Sequence, residues 1–471
     1  MRSSANGSAP TPRLILFYVV AVGMALAAFL AVAWFGETTR TRSAAPAVAP
    51  RHMSEPIDTL LHVLLALAVI IVTSRAVGAL FGTLRQPPII GEVVGGILLG
   101  PSLLGRVSPE LHAVLLPPRV APFLGVIAQL GVILYMFIVG LRFDLRVVRQ
   151  SGPMTLAISH ASIIVPFVLG LALALGLYDG MAPEGATFTP FALFIGVAMS
   201  VTAFPVLARI LDDRGLSGTR MGTIALTCAA VDDVTAWCLL AFVVSAARDT
   251  LGGAFVTLGL TILYIGIMLI VIRRIIARLI PRLEASERSV DARLSLIFVA
   301  LLLSALATEF IGIHAIFGAF LLGVITPPRS RLATDVSDRI DDVVRVLFLP
   351  AFFAFTGMRT EVGLLLTASD WLICALIVVV ATAGKLGGTL IASRLAGLGW
   401  RDSAALGILM NTRGLVELIV LNIGLDLGVI TPRLFVMLVI MALVTTLMTS
   451  PILHLLLRRH PWAVEPESVV A

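Results

Sequence analysis

The 471 residues carry 58% hydrophobic and only 13% charged side chains, with a net charge of +6 and a mean hydropathy of +1.03. Soluble domains hold about 25% charged residues, so this composition excludes a water-soluble enzyme or binding module and calls for an all-α polytopic membrane protein. The basic excess requires no nucleic-acid partner, because membrane insertion itself favours arginine in cytoplasmic loops.

In chain order, apolar runs fall at 14–35, 58–82, 88–104, 122–141, 154–178, 189–211, 221–247, 254–272, 294–309, 311–326, 342–358, 370–393, 402–425 and 434–457. Most are long enough to cross about 30 Å of hydrocarbon, which predicts about fourteen transmembrane helices. The first run follows Arg2 and Arg13 and leads into a polar linker through residue 56. It reads as an additional helix, although "SAAPA" at 43–47 leaves cleavage of a signal-like segment open. Residues 57–457 then form the main transmembrane domain and 458–471 a short tail.

Arginine placement sets the orientation. With both termini in the cytoplasm, Arg142, Arg146, Arg149, Arg209, Arg214, Arg220 and the cluster from Arg273 to Arg293 all lie inside, and Arg359 lies outside. That assignment agrees with an internal repeat. "IVGLRFD" (138–144) resembles "FTGMRTE" (355–361) at an offset of 217, and "SVTAFPVLARIL" (200–211) lines up with "MNTRGLVELIVL" (410–421) at an offset of 210, matching Thr202 to Thr412. Equivalent helices are an odd number apart, so the copies cross the membrane in opposite directions, an inverted repeat typical of secondary transporters. Pro205 and Gly414 interrupt corresponding helices, and the freed backbone groups are tolerable only inside protein or around a wet cavity.

"CAAVDDVTAWCLLAF" (228–242) places Asp232 and Asp233 in mid-helix. A buried carboxylate is costly and marks an ion or proton path. Two like charges so close cannot both ionise freely, and an oxygen site that holds either a proton or a hard cation suits exchange. Neighbouring helix positions point about 100° apart, so the two acids are free to take different roles. Lys385, the single lysine of the chain, lies well inside a second-repeat helix and is the candidate partner. Arg413 and Glu417, one turn apart in the second interrupted helix, are candidates for a structural pair that holds the break open or for a transport role. Glu92 and Glu309 are secondary candidates. Cys228, Cys238 and Cys374 lack metal-ligand spacing and read as free buried thiols, and His160 and His314 as satisfied interior histidines.

Two rival classes stay open at this point: a sodium-coupled solute symporter or cation channel on a related fold, and an intramembrane aspartyl protease. The protease fares worse, because its two carboxylates must face each other from separate helices.

"GEVVGGILLGPSLLG", "TAFPVLARIL", "VDDVTAW", "HAIFGAFLLGV" and "NTRGLVELIVLNIG" together resemble the second family of monovalent cation:proton antiporters over about residues 57–457. The resemblance implies an inverted-repeat sodium/proton antiporter fold with two crossed broken helices, a homodimer in the cell membrane, and Na+ or K+ exchanged for H+ without a cofactor or enzymatic step. It implies that Asp233 binds cation (the metal site) or proton alternately and that Asp232 pairs with Lys385. Thr202, Pro205, Thr412, Arg413 and Glu417 then belong to the helix crossing. The twin-acid form implies electrogenic exchange, and the short tail an expectation that the regulatory tail of many members has no counterpart.

Overall fold

The computed structural model describes residues 56–84, 86–142, 152–248, 251–285, 290–327, 330–458 and 462. The expected helix at 14–35 and most of its linker lie outside the described residues, as do Arg146, Arg149 and the tail after 458 apart from Trp462. All regular elements among the described residues are helical, as lipid demands of a chain that must satisfy its own backbone.

The first half comprises α1 (Pro56–Thr83), α2 (Pro88–Leu99), α3 (Ala121–Arg142), α4 (Pro153–Met181), α5 (Phe188–Ser200), α6 (Phe204–Asp213) and α7 (Arg220–Arg248). Next, α8 (Leu251–Ile267) runs through a π-helical turn at Met268–Ile272 into α9 (Arg273–Ala285). The second half comprises α10 (Val290–Ile311), α11 (Ala315–Ile325), α12 (Arg331–Val343), α13 (Leu349–Met358), α14 (Ala368–Leu395), α15 (Trp400–Met410), α16 (Leu415–Asp426) and α17 (Pro432–Leu457).

Among the described residues, 10 helices are long and apolar enough to cross a bilayer, or 11 if α15 and α16, bent by 45° at their break, form one span. The count of fourteen is therefore not confirmed among the described residues. Besides the run at 14–35, the run at 311–326 yields only the short α11, and that at 342–358 a π-helical turn followed by the ten residues of α13.

Two packed groups organise the helices. In one, α14 lies along α4, α4 along α5, and α7 against both α4 and α5, with α15 and α17 closing on α14. In the other, α2 packs on α1 and α13, and α3 on α11 and α13. Leu60, Leu61, Leu64 and Val72 of α1 and Val299, Leu302, Leu303 and Leu306 of α10 are exposed. Such contiguous apolar surface is what lipid or a second subunit covers.

The α3–α11 crossing depends on two glycines. A Cβ at Gly140 would sit 2.3 Å from the Phe320 carbonyl oxygen, and one at Gly323 2.3 Å from that of Phe137. Backbone cannot yield as a flexible side chain does, so Gly323→Val is expected to cost about 1–3 kcal/mol by overpacking. Thermal unfolding in detergent measures it; an unchanged Tm would mean the helices do not cross this closely.

The end of α3 is tied to α12 by charge. Arg142 donates to Asp341 Oδ2 at 2.9 Å and to Ser337, and Arg345 bonds Asp341 Oδ1 at 2.9 Å. Partial burial pushes the Asp341 carboxyl up, but the hydrogen bonds from Arg345 and Arg142 outweigh it and hold the group below its ordinary range. An acid depressed in this way contributes stability above its unfolded pKa and loses it as pH falls through its folded pKa. Asp341 is accordingly ionised at neutral pH.

Candidate functional site

Pro205 has no N–H and its ring crowds the carbonyl of Val201, so a continuous helix through α5 and α6 is blocked. The chain runs extended through Val201–Ala203, and Pro205 then occupies the first turn of α6, where its missing donor costs nothing. The second break, Asn411–Gly414, meets the first one face on. A Cβ at Gly414 would lie 2.5 Å from Val206 Cγ2, so glycine permits the approach. The two breaks are joined backbone to backbone, the Ala203 N–H donating to the Thr412 carbonyl at 3.0 Å.

Breaking two helices in a buried place leaves carbonyl ends without partners. Arg413 meets those of α5: Nη1 donates to the Ala198 carbonyl at 2.5 Å and Nη2 to that of Met199 at 2.6 Å. The same guanidinium donates to Glu417 Oε2 at 3.0 Å. Its backbone is held as well, Arg413 N–H donating to Thr446 Oγ1 at 2.9 Å and Thr446 Oγ1 to the Arg413 carbonyl at 2.7 Å. A cation at a helix C-terminus also opposes the dipole's negative end. Arg413 and Glu417 thus brace the crossing.

The acid pair lies on α7 directly against it, with Asp232 0% and Asp233 3% exposed. Their surroundings differ. Asp232 accepts from Ser159 Oγ at 2.5 Å, Ser162 Oγ at 2.7 Å and Lys385 Nζ at 3.1 Å. Thr202 Oγ1 lies 2.9 Å from Asp232 Oδ2 and 3.1 Å from the Met410 carbonyl oxygen, and accepts from Lys385 Nζ at 2.5 Å. Asp232 is in this way surrounded by donors from α4, α14 and the first break. Asp233 receives the backbone N–H of Phe204 at the start of α6, while its Oδ1 has no hydrogen-bond partner among the described residues. Asn411, fully buried in the second break, likewise has neither amide atom paired among those residues.

The structure brings Asp232, Asp233, Lys385, Thr202, Pro205, Thr412, Arg413 and Glu417 to one buried crossing. It leaves the secondary candidates elsewhere. Glu92 is buried in α2, its Cγ facing Gly78 of α1, and Glu309 accepts the Ala315 N–H at the start of α11. Cys228 and Cys374 are buried free thiols and Cys238 a half-buried one. His160 Nδ1 lies 2.8 Å from the Leu156 carbonyl oxygen of its own helix. Ser159 and Ser162 were not among the sequence candidates. Among the described residues, no three His, Cys, Asp or Glu side chains gather as a metal cluster would require.

Comparison with known proteins adds an independent line. The family model for the transmembrane sodium/hydrogen exchanger matches residues 67–459. The Na(+)/H(+) antiporter NhaS4 of Synechocystis is 46% identical over 84% of this chain and 97% of its own length. Cation/H(+) antiporter 17 of Arabidopsis thaliana is 40% identical over 83% of this chain and 47% of its own, and the K(+)/H(+) antiporter 1 of Saccharomyces cerevisiae 35% identical over 80% and 44%. The chain therefore spans about half the length of these plant and yeast relatives. The solved structure of the sodium proton antiporter MjNhaP1 from Methanocaldococcus jannaschii superposes with a TM-score of 0.60 over 85% of this chain and 97% of that one, at 15% identity, a likeness of fold.

Proposed function

Because the chain belongs to the transmembrane sodium/hydrogen exchanger family, we propose that it exchanges Na+ or K+ for protons, the two competing for Asp233. The observation that carries this reading is the contrast between adjacent carboxylates. Asp232 is already engaged by two serines, a threonine and a lysine, whereas Asp233 keeps a buried oxygen free. An unpartnered buried carboxylate oxygen is costly unless it takes a proton or a cation, and a hard monovalent cation suits oxygen ligands. Alternate occupancy by one or the other couples the two fluxes without further machinery.

The protein then acts as a secondary transporter in the cell membrane, a homodimer with both termini cytoplasmic, and catalyses no covalent chemistry. The buried Asp232–Lys385 pair supports electrogenic exchange, since it supplies a second site whose charge state is able to change during the cycle.

Proteoliposomes with an imposed pH gradient test the reading. Na+ or K+ added outside is expected to dissipate the gradient, and membrane potential recorded alongside reports the charge moved. Proton competition fixes the sign of the pH dependence: the apparent affinity for the cation weakens as pH falls, by up to about tenfold per pH unit where the site is mostly protonated. An affinity that does not change with pH would indicate a channel-like site and remove competition at Asp233 from consideration.

A further inference from the structure

The repeated arginine motif has a use that the crossing does not absorb. Arg359, at the end of α13, reaches across to α16: Nη1 donates to Asn422 Oδ1 at 2.9 Å and Nη2 to Asp426 Oδ1 at 2.5 Å. Asn422 in turn donates to Thr356 of α13 at 2.9 Å, so the contact is a small network. Here α13 packs directly on α16.

The other copy of the repeat is arranged differently. The offset of 217 sets Arg142 against Arg359, and the offset of 210 sets Asp212 against Asn422. The Arg359–Asn422 contact therefore maps onto Arg142 and Asp212, which sit at the ends of α3 and α6. In this structure they are not joined. Arg142 bonds Asp341 and Ser337 of α12, Asp212 accepts from Ser217, and both are exposed.

We propose that Arg142 and Asp212 form a second latch, reciprocal to the Arg359–Asn422–Asp426 network. One closes when the other opens as the crossing is presented to opposite membrane faces. The physical argument is symmetry. Inverted repeats related by a two-fold axis in the membrane plane exchange conformations when the access side changes, one bundle rocking against the other. What the second repeat does in one state the first does in the other. The release of Arg142 is also tolerable, because Asp341 retains Arg345 when Arg142 leaves. Asp212 supplies the acid of this latch, since Asp426, the acid that Arg359 meets, corresponds at the offset of 210 to Leu216. This inference rests on the alternating access that antiport at the crossing requires.

Cross-linking of the full chain in liposomes tests it, with Cys228, Cys238 and Cys374 replaced by alanine. One variant carries Arg142→Cys with Asp212→Cys, the other Arg359→Cys with Asp426→Cys, and a short bismaleimide is the probe. Each pair is expected to cross-link, and each cross-link to stop cation-driven proton flux. Substitution of the opposite latch supplies the reading that a merely structural bond would not move. Asp426→Asn is expected to raise the 142–212 yield roughly two- to fivefold, as loss of an exposed ion pair allows, and Asp212→Asn to raise the 359–426 yield similarly. Failure of the 142–212 pair to cross-link while the 359–426 pair does so would overturn the proposal, as would yields that do not move or move the opposite way. Parent flux is measured in the same vesicles. Its absence, with both cross-links forming reciprocally, would sink the antiport reading and leave the latches standing.

Discussion

Asp233→Asn is expected to lower cation-driven proton flux by about two orders of magnitude or more, as loss of a group that must itself take and give the proton does. The protein should still insert and unfold near the parent temperature. Asparagine has the size and shape of aspartate, and it retains an oxygen for the Phe204 N–H. What it lacks is the ability to bind a proton reversibly at that site. No hydrogen bond is lost with the other carboxylate oxygen, since Oδ1 has no partner among the described residues. Flux in proteoliposomes and thermal unfolding in detergent, on the same preparation, separate the two effects. Exchange near the parent rate would remove Asp233 from the site, and a collapse of stability would make it a structural residue.

The second large effect concerns stability. Lys385→Gln leaves Asp232 buried without its cation, and breaking a buried pair from one side typically costs 3–5 kcal/mol, with the loss here expected at about 3 kcal/mol. The lower end follows from what stays behind, since Ser159, Ser162 and Thr202 still surround the carboxylate. Adding Asp232→Asn to that variant removes the stranded charge and should recover part of the loss. Residues in direct contact couple, so the two substitutions are expected to be non-additive. A double-mutant cycle of unfolding free energies measures the coupling, beside current recordings on vesicles. If the substitutions proved additive and the current unchanged, Lys385 would be a packing residue and electrogenic exchange would lose its main support.

Charged residues inside otherwise apolar runs are conspicuous in the sequence: Asp232, Asp233, Lys385, Arg413 and Glu417. The inverted repeat is legible from two short strings, because Gly, Pro and Arg at element ends have few alternatives in a membrane. Ser159 and Ser162 are not legible in this way. Serine is common in membrane helices and often bonds its own backbone, so its identity carries little information. Spacing holds the available signal, since Thr155, Ser159 and Ser162 fall four and three residues apart and so share one helix face. The grip of Arg413 on Ala198 and Met199 is beyond reach for another reason. Those carbonyls are 215 and 214 residues away, and sequence spacing exposes only the partner one turn along, Glu417. Helix number suffers from a third cause. Apolar runs do not show where a helix bends, shortens or passes through a π-helical turn, as the stretch Val344–Met358 does.

The backbone bond between Ala203 and Thr412 also bears on how the protein is made. Its donor emerges from the ribosome 209 residues before its acceptor. At synthesis rates of about 5–20 residues per second, the first broken helix spends roughly 10–40 s in or near the bilayer before its mate exists. During that interval the Ala198 and Met199 carbonyls also lack Arg413, and Asp232 lacks Lys385. The half-made chain thus holds polar groups in the membrane without their partners, each at a cost on the order of several kcal/mol. Substitutions in the second break would then reduce the amount of protein that reaches the membrane as well as the rate at which each molecule works. A nascent chain truncated before residue 412 should be degraded faster than one truncated just after α17.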